Sequence, residues 1–160
     1  VLGDAVEQLD PDAFDATGIE FEGQRPLVDL LSDARARLAP CASRIVVSDF
    51  LSPHRAEDLV PPLTHRTGAL ALLQVLGPFD LAPPVDSALR LVDAENDEHE
   101  DLILSAGAVA RYTERLDRLT TELEEACLRA GARFGRLAAA DGLEELVRGP
   151  LMRLGVVEAR

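Results

Sequence analysis

The residues best placed to do chemistry are a polar pair, Ser48 and Asp49, near the end of the apolar run 44–50 (Arg-Ile-Val-Val-Ser-Asp-Phe). Such a run predicts a buried β-strand of an α/β domain, and open α/β sheets bind ligands at the carboxyl ends of their strands. Ser48 is therefore a candidate ligand-edge residue, and Asp49 could hold Mg²⁺ directly or through water. The alternative is that Asp49 caps the turn after the strand, and its position alone slightly favours this.

A second candidate is His54, which lies within one helical turn of Asp49 and could form a dyad with it in a metal-dependent hydrolase. However, no activated serine or cysteine motif accompanies the two residues, and a solvated histidine at a helix start is the commoner arrangement. Cys41 and Cys127 stand far apart without zinc-ligand spacing, so we expect each to be a small buried hydrophobe. The sequence does not require an enzyme.

The composition predicts one folded domain over residues 1–160, with 47% hydrophobic and 28% charged residues. A net charge of -13 would repel a nucleic-acid backbone and an anionic membrane surface, so we expect neither as a partner. No apolar run approaches the roughly 20 residues that span a bilayer, and no signal peptide is evident. These features predict a cytoplasmic or cytosol-facing protein.

The elements that must position the polar pair follow from hydrophobic spacing. We expect residues 1–24 to be an irregular lead, and the spacing from Pro26 to Leu38 predicts a helix that runs into the strand at 44–50. Ser52 and Pro53 predict the start of a helix that Pro61 and Pro62 should end or bend. The apolar run 68–76 then predicts a strand buried on both faces, which completes a β-α-β unit.

The second half continues the alternation of strands and helices. We predict a surface hairpin at residues 89–104 and a long helix at 107–130. A third core strand at 132–138 and a terminal helix at 141–147 should follow. Gly131 is expected to end the long helix. The apolar stripe of this helix is predicted to consist of Val109, Tyr112, Leu116, Leu119, Leu123 and Cys127. This order predicts a sheet with helices on both faces and an additional β-hairpin.

Residues 44–52 (Arg-Ile-Val-Val-Ser-Asp-Phe-Leu-Ser) also resemble the strand-and-loop signature of domain-of-unknown-function family fifty-eight. These are bacterial proteins with a von Willebrand factor A-like domain. Leu91-Val92-Asp93-Ala94-Glu95 looks like the family's Asp-x-Glu turn, Tyr112 begins a long helix that ends in Ala130-Gly131, and residues 154–157 (Leu-Gly-Val-Val) look like its C-terminal segment. The resemblance covers roughly residues 25 to 160.

The resemblance implies a von Willebrand factor A-like, Rossmann-type parallel sheet. Such domains bind a divalent cation through Asp-x-Ser-x-Ser, a Thr and an Asp, and Asp49 corresponds only to the last of these. The chain opens on Val1 and contains no Asp-x-Ser-x-Ser. If the chain is the C-terminal part of such a domain, we expect a fold that is incomplete at its N-terminus. We expect Mg²⁺ or Mn²⁺ to bind only if the missing motif is supplied upstream.

For function, the resemblance implies a non-catalytic protein-interaction or scaffold module, an adaptor for a MoxR-type AAA+ ATPase. The alternative is the metal-dependent hydrolase that would use Asp49 and His54. A third hypothesis is a homo-oligomer, in which a second copy covers an exposed apolar sheet edge.

Overall fold

The computed structural model describes residues 40–52, 54–92 and 99–157, and these form a mixed α/β fold. A parallel three-stranded sheet has the order β1-β2-β5, and β3 and β4 pair as a separate antiparallel hairpin. The strands are β1 (Cys41–Ser48), β2 (Thr67–Leu76), β3 (Ser87–Val92), β4 (His99–Leu104) and β5 (Arg133–Ala138). The helices are α1 (Ala56–Thr64), α2 (Pro78–Leu81), α3 (Ala106–Arg129) and α4 (Leu143–Leu146), and α4 continues into a π-helical turn, Val147–Leu151.

This arrangement confirms the predicted parallel sheet flanked by helices, the β-α-β unit and the hairpin. The irregular lead, the predicted helix at 26–38 and the Asp-x-Glu turn at 93–95 lie outside the described residues. No helix in the described ranges is both long and apolar enough to cross a membrane.

Strand β2 occupies the centre of the sheet because its sequence is apolar on both faces. Leu70 and Leu72 face the helices, Ala71 and Leu73 face the other way, and all four are buried. Parallel strands pair with it on both sides, so β2 has no free edge within the described sheet. A strand of this kind is typical of a sheet covered by helices.

Helices α1 and α3 pack on the same face of the sheet. The chain moves from β1 to β2 to β5 in one direction, and right-handed crossovers in one direction place their helices on one face. The core between helices and sheet is formed by Leu59, Val60 and Leu63 of α1, Leu123, Ala126 and Cys127 of α3, and Leu70 and Leu72 of β2.

The opposite face of the sheet is covered unevenly. Near β5, the side chain of Leu154 occupies the space in which a Cβ on Gly135 would sit, so glycine allows the C-terminal segment to approach. At β1, however, Ile45 and Val47 are 50% and 62% exposed. The helix packing predicted for both faces is therefore confirmed for the face that carries α1 and α3, whereas the opposite face is partly exposed at β1.

Helix α1 departs from the sequence prediction at both ends. It begins at Ala56 and not at Ser52, and it retains Pro61 and Pro62. Each proline removes a backbone donor, but the last turn is held by complete burial of Leu63 and by Arg44, whose guanidinium donates to the carbonyl oxygens of Leu63 and His65. Tertiary contacts from β1 thus outweigh the local tendency of proline to end the helix.

The predicted long helix is confirmed as α3, and its predicted apolar stripe faces the core. Ser105, which the sequence prediction did not use, is the N-cap residue, and its side chain accepts a hydrogen bond from the Ala108 amide at 3.3 Å. Gly131 follows the helix with φ of 67°, a conformation that favours glycine. The capping serine and the glycine therefore define the two ends of the helix. Its apolar stripe determines which side packs against the sheet.

Two leucines of α3 test the core assignment. Leu123 is fully buried and Leu128 is 79% exposed. We expect Leu123→Ala to lower the free energy of unfolding by about 3 kcal/mol, because it removes packed methyl groups and leaves a cavity. Leu128→Ala should change it by less than about 0.5 kcal/mol. Urea unfolding followed by circular dichroism measures both, and equal effects would contradict the packing of α3.

Candidate functional site at the carboxyl edge of the sheet

The turn after β1 brings the polar pair to the carboxyl edge of the sheet. The strand ends at Ser48 and not at Phe50 as predicted, so Asp49 lies in the turn. Phe50 has φ of 58° and is fully buried. The Ser48 hydroxyl accepts from the Phe50 amide at 3.0 Å, and Asp49 Oδ1 accepts from the Leu51 amide at 3.0 Å. Both side chains therefore stabilise the bend, as the capping alternative for Asp49 predicts.

Gln74 connects this turn to the rest of the domain. It is fully buried, and its Nε2 donates to the Asp49 carbonyl oxygen at 3.1 Å. Its Oε1 accepts from the Thr120 hydroxyl of α3 at 3.0 Å. One amide thus joins the turn after β1, the central strand and the long helix. Sequence reasoning missed Gln74, although a lone polar residue inside the apolar run 68–76 is a signal that such a bond exists.

Tyr112 stands above the same edge, on the first part of α3. Its hydroxyl oxygen is buried. Burial raises the pKa of Tyr112, and the negative charges of Asp80 and Asp49 raise it further. Asp80 itself accepts from the Gly77 amide at 2.9 Å, at the start of α2. Both carboxylates are therefore close enough to the tyrosine hydroxyl to act on its pKa.

His54 does not join Asp49. No hydrogen bond or ion pair links the two side chains; instead Nδ1 lies 2.7 Å from the Ser52 carbonyl oxygen. A carbonyl only accepts, so Nδ1 carries a proton, and Nε2 is buried without a partner in the described residues. His54 is half-buried against Phe50, so the prediction of a solvated histidine at a helix start is wrong.

The described residues contain no group of three or more His, Cys, Asp or Glu side chains arranged to hold a metal ion. Asp49 as a metal ligand therefore stays a prediction. Of the two cysteines, Cys127 is buried as predicted, and burial raises its pKa to about 11. Cys41 is only half-buried, and its thiol donates to the Thr67 hydroxyl at 3.5 Å.

Large apolar side chains stand exposed around the same edge. Leu51, in the turn after β1, is 39% exposed, while Phe79 and Leu81, which follow β2, are 43% and 40% exposed. We call these three residues the edge patch. Because β1 and β2 are parallel neighbours, the segments that follow them emerge at one edge. The patch therefore lies beside Asp49 and Asp80.

No family model matches the chain, and no curated protein and no solved structure is significantly similar to it. The fold described here thus rests on the topology of the chain itself.

The Gln74 bond to Thr120 can be tested by removing its hydroxyl. Thr120→Val keeps the shape but leaves Gln74 Oε1 buried without a donor, so we expect a loss of about 1–3 kcal/mol in the free energy of unfolding. Thr121→Val is the matched control, since among the described residues the Thr121 hydroxyl bonds to the Asp117 carbonyl oxygen within its own helix. Similar losses in both variants, measured by urea unfolding, would contradict the proposed link.

The titration of Tyr112 is accessible because it is the only tyrosine and the chain has no tryptophan. We expect the ultraviolet absorbance of tyrosinate to appear with a midpoint above the ordinary pKa of 10.0, and Asp80→Asn to lower that midpoint. Glu124→Gln, on the exposed side of α3, should leave it unchanged.

The raised pKa of Tyr112 makes the free energy of unfolding depend on pH. The folded pKa of Tyr112 is raised, so its contribution to stability is complete below the unfolded pKa and is lost as the pH rises through the folded pKa. Tyr112→Phe should flatten this alkaline loss. A midpoint at or below 10 in the parent protein would refute the buried placement of the hydroxyl.

Proposed function

We propose that the domain is a non-catalytic protein-interaction or scaffold module that binds its partner through the edge patch. The observation that carries this proposal is the exposure of Leu51, Phe79 and Leu81 at the carboxyl edge of the parallel sheet. Isolated exposed apolar residues are common on protein surfaces, but several at the edge where such sheets bind ligands favour a docking site.

The state of the polar residues supports binding more than catalysis. The Ser48 hydroxyl, one oxygen of Asp49 and Nδ1 of His54 each bond to a neighbouring backbone group. The Ser48 hydroxyl donates to Asp49 Oδ1 only at 3.5 Å, and that oxygen already accepts from the Leu51 amide, so this carboxylate is poorly placed to activate Ser48 as a nucleophile. These bonds instead hold the turn in one conformation, which lowers the entropy lost when a partner binds.

We further propose that the fold is von Willebrand factor A-like and that the partner is a MoxR-type AAA+ ATPase. The likeness of residues 44–52 to family fifty-eight supports this, as does the position of Asp49 directly after a parallel strand. The tandem of parallel strands with helices between them is compatible with that fold.

The proposal is tested by binding to a MoxR-type ATPase encoded in the same genome, measured by biolayer interferometry. We expect Leu51→Ser with Phe79→Ser to weaken binding by about tenfold or more, because both side chains lose buried apolar area. Leu128→Ser is the matched control, since Leu128 is exposed on α3 outside the edge patch. Circular dichroism checks that each variant is folded.

Two results would count against this function. One is the absence of binding by the parent protein. The other is a loss of binding caused by Ile45→Ser with Val47→Ser but not by the edge-patch variant, which would move the interface to the exposed face of β1.

A further inference from the structure

We infer that the edge patch binds a basic, amphipathic segment of the partner protein, whose apolar side chains cover Leu51 and Phe79 and whose cationic groups meet Asp49 and Asp80. This inference rests on the protein-interaction role proposed above and adds the chemistry of the partner.

The apolar component of the partner follows from the edge patch. Leu51 and Phe79 belong to segments that leave adjacent strands, and each keeps roughly two fifths of its surface in water. A hydrogen bond from the Leu51 amide to Asp49 and one from the Gly77 amide to Asp80 fix the backbone beneath them. The backbone of the patch is therefore fixed before a partner binds. Such preorganisation reduces the conformational entropy that is lost on binding.

The charge of the partner follows from the two carboxylates. Each uses one oxygen for its backbone bond, Oδ1 in Asp49 and Oδ2 in Asp80, and neither bond engages the second oxygen. Asp49 and Asp80 follow adjacent parallel strands, so both lie at the same edge of the sheet, and the charges of both raise the pKa of Tyr112. A neutral apolar segment would desolvate these carboxylates without replacing their contacts with water, which is unfavourable. A cationic side chain replaces them.

In the described residues, the guanidinium groups of Arg111 and Arg55 are placed elsewhere. Arg111 precedes Tyr112, but its guanidinium lies 3.6 Å from the position of a Cβ on Gly107, in the first turn of its own helix. Arg55 is ion-paired with Glu57. The net charge of -13 adds a long-range attraction for basic partners and repels acidic ones.

The test uses a fluorescein-labelled amphipathic peptide of about 18 residues, built from leucine and lysine at helical spacing, and a matched peptide with glutamate in place of lysine. Anisotropy with the whole chain should show binding of the lysine peptide alone. Asp49→Asn with Asp80→Asn should weaken that binding by about fivefold or more, and added salt should weaken it in the parent protein. Asparagine can still accept both backbone bonds.

The matched control is Glu124→Gln with Glu145→Gln, which removes the same charge from exposed positions elsewhere. We expect it to change affinity by less than about twofold. Equal weakening by both double variants would mean that net charge alone attracts the peptide, and it would overturn the inference. Binding of the glutamate peptide as tightly as the lysine peptide would also overturn it.

The same variants measured against the ATPase separate this inference from the proposed function. Binding that depends on Leu51 and Phe79 but not on Asp49 and Asp80 would leave the function standing and overturn the inference. Binding that depends on neither pair would overturn both.

Discussion

Every side chain of strand β2 from Leu70 to Gln74 is buried, and the rest of the domain must cover this strand. Its backbone must be paired on both edges, which β1 and β5 accomplish, and its side chains must be covered, chiefly by α1 and α3 on one face. Gln74 is the polar member of this buried stretch, and its two bonds fix both the turn after β1 and the position of α3. The hydrogen bonds of this buried side chain thus determine the geometry of the carboxyl edge.

The turn after β1 shows how that edge is kept in one conformation. A left-handed backbone at a residue with a side chain costs roughly 1–2 kcal/mol, and Phe50 adopts it. Full burial of a phenylalanine side chain offsets this with roughly 1.5–3 kcal/mol. As Phe50 enters the core, Asp49 and Leu51 on either side of it remain exposed. The strained residue Phe50 therefore anchors the turn and keeps Asp49 and Leu51 exposed to solvent.

The parts of the fold that sequence reasoning predicted are those whose burial imposes a pattern. The continuous apolar run predicted β2, and the helical stripe predicted α3, because each must hide a defined set of side chains. Helix α1 was mispredicted because proline rules are local, whereas Leu63 and Arg44 stabilise its last turn through tertiary contacts. The roles of Gln74 and Tyr112 were missed for the same reason: Thr120 lies 46 residues from Gln74, and only the folded chain brings them together.

The hairpin of β3 and β4 interrupts the connection between the sheet and α3. The chain leaves β2 at Leu76 and enters α3 after Ser105, and a bond from the Asp86 amide to the Leu104 carbonyl oxygen, 2.7 Å long, closes the base of the hairpin. In the described residues the two strands pair with each other and not with the parallel sheet. Insertions or deletions beyond that closed base would leave the core untouched, so during evolution this arm is free to change length and sequence while the scaffold stays constant.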